Sequence, residues 1–187
     1  MQLSWDLFIL VFFAVVIAYS FIIGRNQTLK VILGTYVAVL CSDGIGNLFS
    51  KYFITSQPFL KFLKLFAIGD EAQAVAFFKV LILLVLVVLI AVRGLFHVDS
   101  DDDTNVTIKI IVLLLLGVLS AGLMMSAVLV FISGTSLIGG MAGGNNILLE
   151  VYNSSRLVRI MIDYSNLWFF LPGITFVVMS IIRKKSA

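Results

Sequence analysis

The chain predicts an all-α fold, a polytopic bundle of about five transmembrane helices in one integral-membrane domain over residues 1–187, and three observations carry that expectation. Hydrophobic residues make up 61% of it and charged residues 12%, against about 45–50% and about 25% in soluble domains. Its mean hydropathy is +1.14. The apolar residues are gathered into long blocks separated by brief polar stretches, and a helix needs about 20 of them to cross about 30 Å of hydrocarbon. Five such blocks use most of the 187 residues and leave no interval for a separate soluble core. In lipid every backbone amide must be paired within its own segment, so spans of this length are helices.

The first block, residues 7–23, follows Asp6 and no Lys or Arg, and the Gly24-Arg25-Asn26-Gln27 stretch after it lacks a small-x-small cleavage site. It therefore reads as a retained helix rather than a secretory signal. The second span covers 31–49. Between it and the third, residues 58–67 place Lys61 and Lys64 three apart among aromatic and aliphatic residues, with Pro58 where a first helical turn tolerates it. This predicts a short interfacial helix whose lysines reach up to the headgroups.

The third span is 74–95 and the fourth 107–133. The connection between them alternates Asp99, Asp101, Asp103 and Asn105, the first half of a calcium loop, but Thr104 stands where that loop needs Gly and Ile110 where it needs Glu. A solvated acidic hairpin is the expectation. After the fourth span, Gly139-Gly140 and Gly143-Gly144 stand at the four-residue spacing that lets helices approach closely, but adjacent glycines also break helices, and a break with a flexible turn is the expectation. Helical periodicity returns over 147–163, with Leu148, Val151, Leu157, Val158 and Met161 apolar against Glu150, Asn153, Arg156, Arg159 and Asp163. A second surface-lying helix is expected there, followed by a last span at 167–182.

Lys and Arg close to the spans set the orientation. Arg25 and Lys30 crowd the first connection, whereas the segment before it has no basic residue; Arg183-Lys184-Lys185 follow the last span. The N-terminus is placed outside and the C-terminus in the cytoplasm. Lys51, Lys61 and Lys64 would then lie outside and the acidic connection inside, so a four-span or re-entrant arrangement stays open.

Asp43 stands out among candidate sites, because an ionisable group within a span costs about 2.5–3.5 kcal/mol on insertion scales. Ser42-Asp43-Gly44-Ile45-Gly46-Asn47 interleaves polar groups with glycines, and Asp43 with Asn47 could line an ion or proton pathway. The plainer expectation is that the span ends near Leu40 and Asp43 sits in an exit turn at headgroup level. Gly34 with Ala38, Gly117 with Ala121, and Ser42 with Gly46 form small-xxx-small pairs that let helices approach closely. Lys61, Lys64, Arg156 and Arg159 are candidate contacts to lipid headgroups, although such residues are more often only the wet face of a helix. One Cys, Cys41, and one His, His97, exclude an intrachain disulfide and a Cys/His metal site. No nucleophile–base constellation, phosphate-binding glycine loop or paired catalytic carboxylates can be assembled, and no basic run suggests nucleic acid. An enzyme is not expected, nor a cofactor.

The opening of the chain, Ser4-Trp5-Asp6-Leu7-Phe8-Ile9 through Gly24-Arg25 to Ile32-Leu33-Gly34-Thr35-Tyr36-Val37-Ala38, resembles the CvpA-like family named for colicin V production. Asp6 before the first span, Gly24 and Arg25 after it, and Gly34 and Ala38 in the second fit that family's pattern. Leu116-Gly117 and Ala121-Gly122 are loosely similar to its later glycine-spaced helix. Tyr19 departs from the pattern, standing where a small residue is more usual, and so does the fifth span. The resemblance implies a small bacterial inner-membrane protein linked to secretion or envelope homeostasis, without a catalytic site.

Two functional classes follow. One is a non-catalytic accessory or scaffold protein that packs with itself or with a larger membrane partner. The other is a small channel or transporter with a pathway near Asp43.

Overall fold

The computed structural model describes residues 4–52, 71–93, 106–133, 152–153 and 155–186. Every element among them is helical: α1 (Trp5–Tyr52), α2 (Glu71–Arg93), α3 (Val106–Ile132), α4 (Arg156–Asp163) and α5 (Ser165–Ser186). Three helices are long and apolar enough to cross a membrane, α1, α2 and α3, and the bent pair α4–α5 makes a fourth if it counts as one span. The expected interfacial helix over 58–67, the acidic connection and the glycine pairs at 139–144 lie outside the described residues, as does 147–151 of the second surface helix.

α1 differs most from expectation. In place of two spans joined by a polar loop, helix continues through Arg25–Lys30, interrupted only at Gly24. That residue has φ 79° and ψ 174°, a region reserved for glycine because any Cβ clashes with the backbone. A Cβ there would meet no neighbouring side chain, so the constraint is conformational and not one of space.

The two arms of α1 run in opposite directions, as their contacts along α3 reveal. Ile9 clusters with Met125 and Leu129, and Ile17 and Ser20 lie against Gly117, so the first arm descends as α3 ascends. The second arm runs with α3: Leu29 and Ile32 cluster with Leu116 and Leu123, and Ala38 and Val39 with Ala127 and Phe131. One glycine therefore turns a helical hairpin. The Thr28 hydroxyl donates to the carbonyl oxygens of Gly24 at 2.9 Å and Ser20 at 3.4 Å, supplying partners for backbone groups freed where the helix breaks.

α3 is the core around which the others pack. Of its most apolar stretch 61% is buried, against 11% for α1 and 22% for α2; the outer helices turn their Leu, Val and Ile side chains outward. α2 lies antiparallel to the second arm of α1, since Ile90 meets Gly34 and Lys79 meets Gly46. α5 begins where Trp168 covers Gly122 and bends 60° from α4. Pro172 sits inside α5, where it cannot donate to the carbonyl four residues back and its ring distorts the turn. The Tyr36 hydroxyl donates to the Phe169 carbonyl in that turn.

Small residues make these close approaches. A Cβ on Gly34 would fall 2.4 Å from Ile90 Cγ2, and one on Gly122 2.0 Å from Trp168 Cε3. Ala38 and Ala121 are fully buried, and Gly34 and Gly117 with them. The small-xxx-small faces read from the sequence as surfaces for assembly are thus occupied within the chain.

Candidate functional site

The exit-turn reading of Asp43 fails, because α1 stays helical beyond it to Tyr52 and Asp43 is fully buried. Its Oδ1 accepts a hydrogen bond from Lys79 Nζ at 2.6 Å, and the two side chains are 0% and 5% exposed. Isolated, either charge would be costly to hold in an apolar surround; paired at this distance each offsets the other's lost hydration.

The elements deliver the pair locally. Gly46 lies one turn beyond Asp43, and the methylenes of Lys79 run across it: a Cβ there would sit 2.3 Å from Lys79 Cγ and 2.7 Å from Cε. The glycine is the seat that lets the lysine stem reach the carboxylate. Phe131 of α3 closes one side, with Lys79 Nζ 5.7 Å from its ring centroid, a cation–π approach. Phe49 and Phe78 stack at 4.0 Å between centroids, joining the same two helices on the neighbouring turns. Asn47 is half-buried one turn from Asp43.

Depth along the bundle follows from helix rise. Asp43 lies about 28 Å from the Gly24 turn along the second arm at ~1.5 Å per residue, close to the full thickness of a hydrocarbon layer of about 30 Å. The pair therefore sits toward one end of the bundle, inside the protein.

A second polar tie occupies the same end. Asp6, before the apolar run that begins at Leu7, accepts from the Ser155 hydroxyl at 2.7 Å and from the Leu157 amide at 3.0 Å. Ser155 is the N-cap of α4, and its hydroxyl also accepts from the Val158 amide at 3.1 Å. Two orphan amides of α4 are thereby satisfied, one by its own cap and one by a carboxylate from the other end of the sequence. The Ser155 hydroxyl and then the Leu157 amide hold the Asp6 carboxyl below the ordinary aspartate value.

α4 itself lies over this end. Val158 and Met161 are buried against Ile9, Met125 and Leu129, while Arg156 and Arg159 are exposed. The Arg159 guanidinium stands 5.2 Å from the Tyr152 ring centroid, and the Tyr152 hydroxyl donates to Asp163 Oδ1 at 3.0 Å. That bond to Asp163 raises the Tyr152 hydroxyl above the ordinary phenol value.

Sequence reasoning singled out Asp43 and missed its partner, although Lys79 was the available signal: a lysine inside the third apolar block, needing an acid. It missed the Asp6–Ser155 tie for want of any local signal. Asp43 and Lys79 are brought together; Asn47 flanks them on α1; Arg156 and Arg159 lie on α4 at the same end of the bundle; Lys61 and Lys64 lie outside the described residues. Among the described residues no group of three or more His, Cys, Asp or Glu could hold a metal ion.

Fold and site define a class: a helical membrane protein in which the buried charges among the described residues, Asp43 and Lys79, are paired with each other. Comparison with protein-family models, with curated proteins and with solved structures gives no match.

Proposed function

We propose that this chain is a non-catalytic accessory or scaffold component of a bacterial inner membrane, acting in secretion or envelope homeostasis as its CvpA-like opening implies. The observation that carries this reading is the enclosure of Asp43 and Lys79. A pump or channel works through ionisable groups that reach a water-filled path; here the carboxylate is 0% exposed and its charge is answered at 2.6 Å by an ammonium that stands over the Phe131 ring. Such a pair ties helices together.

In this reading the chain crosses five times, because α1 folds back at Gly24 and contributes two passes. Arg25, Lys30, Arg93 and Lys109 then fall at one end of the bundle, together with the Arg183–Lys185 end of α5, and the positive-inside tendency makes that end cytoplasmic. The N-terminus and α4 lie outside.

Crosslinking in native membranes, followed by purification and mass spectrometry, tests the proposal. A foreign membrane protein or a second copy recovered in fixed stoichiometry is the expected result; a monomer with no partner would sink it. The second reading, a small channel or transporter with a pathway at Asp43, is favoured by the presence of an ionisable pair within the bundle. It requires that Asp43→Asn alter ion flux in reconstituted vesicles, and unaltered flux removes it.

A further inference from the structure

We propose that the outer ledge formed by α4 is a binding site for an anionic phospholipid, with Arg156 and Arg159 on the headgroup phosphate and the acyl chains against α5. The inference rests on the membrane-embedded reading and goes beyond the scaffold role.

Position comes first. α4 is fixed at the Asp6 end of the first arm, about 27 Å from the Gly24 turn at ~1.5 Å per residue, which is the level where hydrocarbon gives way to headgroups. Its 60° bend from α5 lays it across the bundle rather than along it. The underside is committed, with Val158 at 0% and Met161 at 7% exposure. An amphipathic helix so placed presents its polar side to the phosphate layer.

The polar side is also organised. Arg156 and Arg159 are one turn apart, so both project from one face and can bracket one phosphodiester. Arg159 is held against Tyr152, whose hydroxyl is anchored on Asp163. Among the described residues two carboxylates lie near this face, and both accept hydrogen bonds: Asp163 from Tyr152, Asp6 from Ser155 and the Leu157 amide. The guanidiniums are exposed.

Below the ledge, the surface suits acyl chains. Leu167, Leu171, Ile174 and Val178 recur at helical spacing down one side of α5, each 40–46% exposed. An exposed guanidinium pair on α4, followed in the chain by an exposed aliphatic stripe on α5, suits a lipid with a negative headgroup better than a free anion, which would use only the guanidiniums.

The test uses the full chain in nanodiscs of mixed phosphatidylglycerol and phosphatidylcholine, with the lipids retained after release counted by native mass spectrometry. Phosphatidylglycerol should be retained roughly tenfold over phosphatidylcholine, about 1.4 kcal/mol. The R156Q/R159Q variant should lose that preference, while Lys109→Gln, at the opposite end, keeps it. Both arginines are exposed, so the double variant is expected to fold; unchanged helicity by circular dichroism checks this. Equal retention of the two lipids by the native chain, undiminished preference in R156Q/R159Q, or displacement of the lipid by millimolar inorganic phosphate would each overturn the proposal. Recovery of the chain in the soluble fraction without detergent would instead overturn the membrane reading beneath it.

Discussion

The Asp43–Lys79 pair makes a quantitative demand on stability. Replacing Lys79 with Met leaves a carboxylate at 0% exposure without the ammonium that stood 2.6 Å away. Removing one partner of a buried ion pair costs about 3–5 kcal/mol, because the remaining charge keeps its desolvation penalty and loses its compensation. Replacing both groups with apolar residues of similar volume removes penalty and attraction together, and is often neutral or stabilising. The D43L/K79M variant should therefore be more stable than K79M, by about 2 kcal/mol or more on the same reasoning. The assay is a double-mutant cycle of reversible unfolding in mixed micelles, comparing native chain, both single variants and the double. Additive single costs, or single costs below about 1 kcal/mol in the range of an exposed pair, would refute the pair as an enclosed tie. Gly46→Ala offers an independent approach to the same contact: its Cβ would intrude to 2.3 Å on the Lys79 stem, so a loss of about 1–3 kcal/mol, typical of overpacking, is expected without any change of charge.

Three further predictions concern the frame around the pair. Gly24→Ala meets no steric neighbour but forces an L residue to φ 79°, and should cost about 1–3 kcal/mol in the same unfolding assay; a neutral substitution would show that the hairpin turn does not depend on glycine. Tyr36→Phe removes the hydroxyl that donates to the Phe169 carbonyl beside Pro172, and should cost about 0.6 kcal/mol, the average for interhelical hydrogen bonds in a membrane protein, and no more than about 1.7, with amide exchange rising first around Gly173. Asp6→Asn should expose the start of α4, seen as faster exchange at Leu157 and Val158. Because the folded-state value of Asp6 is depressed, its contribution is fully present above the ordinary aspartate value of 3.8 and is lost as pH falls through the lower folded value; protection of Leu157, corrected for intrinsic exchange, should follow that fall in the native chain and stay flat in Asp6→Asn.

The apolar blocks made most of the fold legible, since a run such as 107–133 admits one structure in lipid and α3 occupies Val106–Ile132. What composition could not convey was direction. Arg25–Lys30 read as a connection because polar residues usually mark one, yet the turn needed only Gly24, and the following residues were free to begin the next helix at once. Asp43 was legible as a costly residue, but whether a helix ends at a polar cluster or carries it inward depends on what packs opposite. Lys79 supplies the answer from another helix, and its reach depends on the absent side chain of Gly46. Asp6 and Ser155 are joined across nearly the whole chain, and no periodicity within either segment encodes that meeting. Small-residue pairs were visible as close-packing faces; their partners, Ile90 for Gly34 and Ser20 for Gly117, could be known only once α1 was seen to fold back.

The distribution of polar ties bears on how such a bundle can act. Lipid chains are as apolar as leucine, so exposed aliphatic faces gain little by leaving lipid for one another, and association in membranes depends on close packing and on hydrogen bonds. In this chain the glycines at 34, 46, 117 and 122 are already filled by Ile90, Lys79, Ser20 and Trp168, and the outward side chains of α2, such as Leu84, Val85 and Val88, are aliphatic. The middle of the bundle thus offers little to a second protein. Its interhelical polar ties at Asp6 and at Asp43 lie instead at one end, where Asp6 holds α4 and Lys79 meets Asp43, and there Arg156 and Arg159 are exposed. Under the proposed scaffold role the chain would engage its surroundings through the α4 end, with the apolar core holding that end in place and the enclosed ion pair tying α1 to α2.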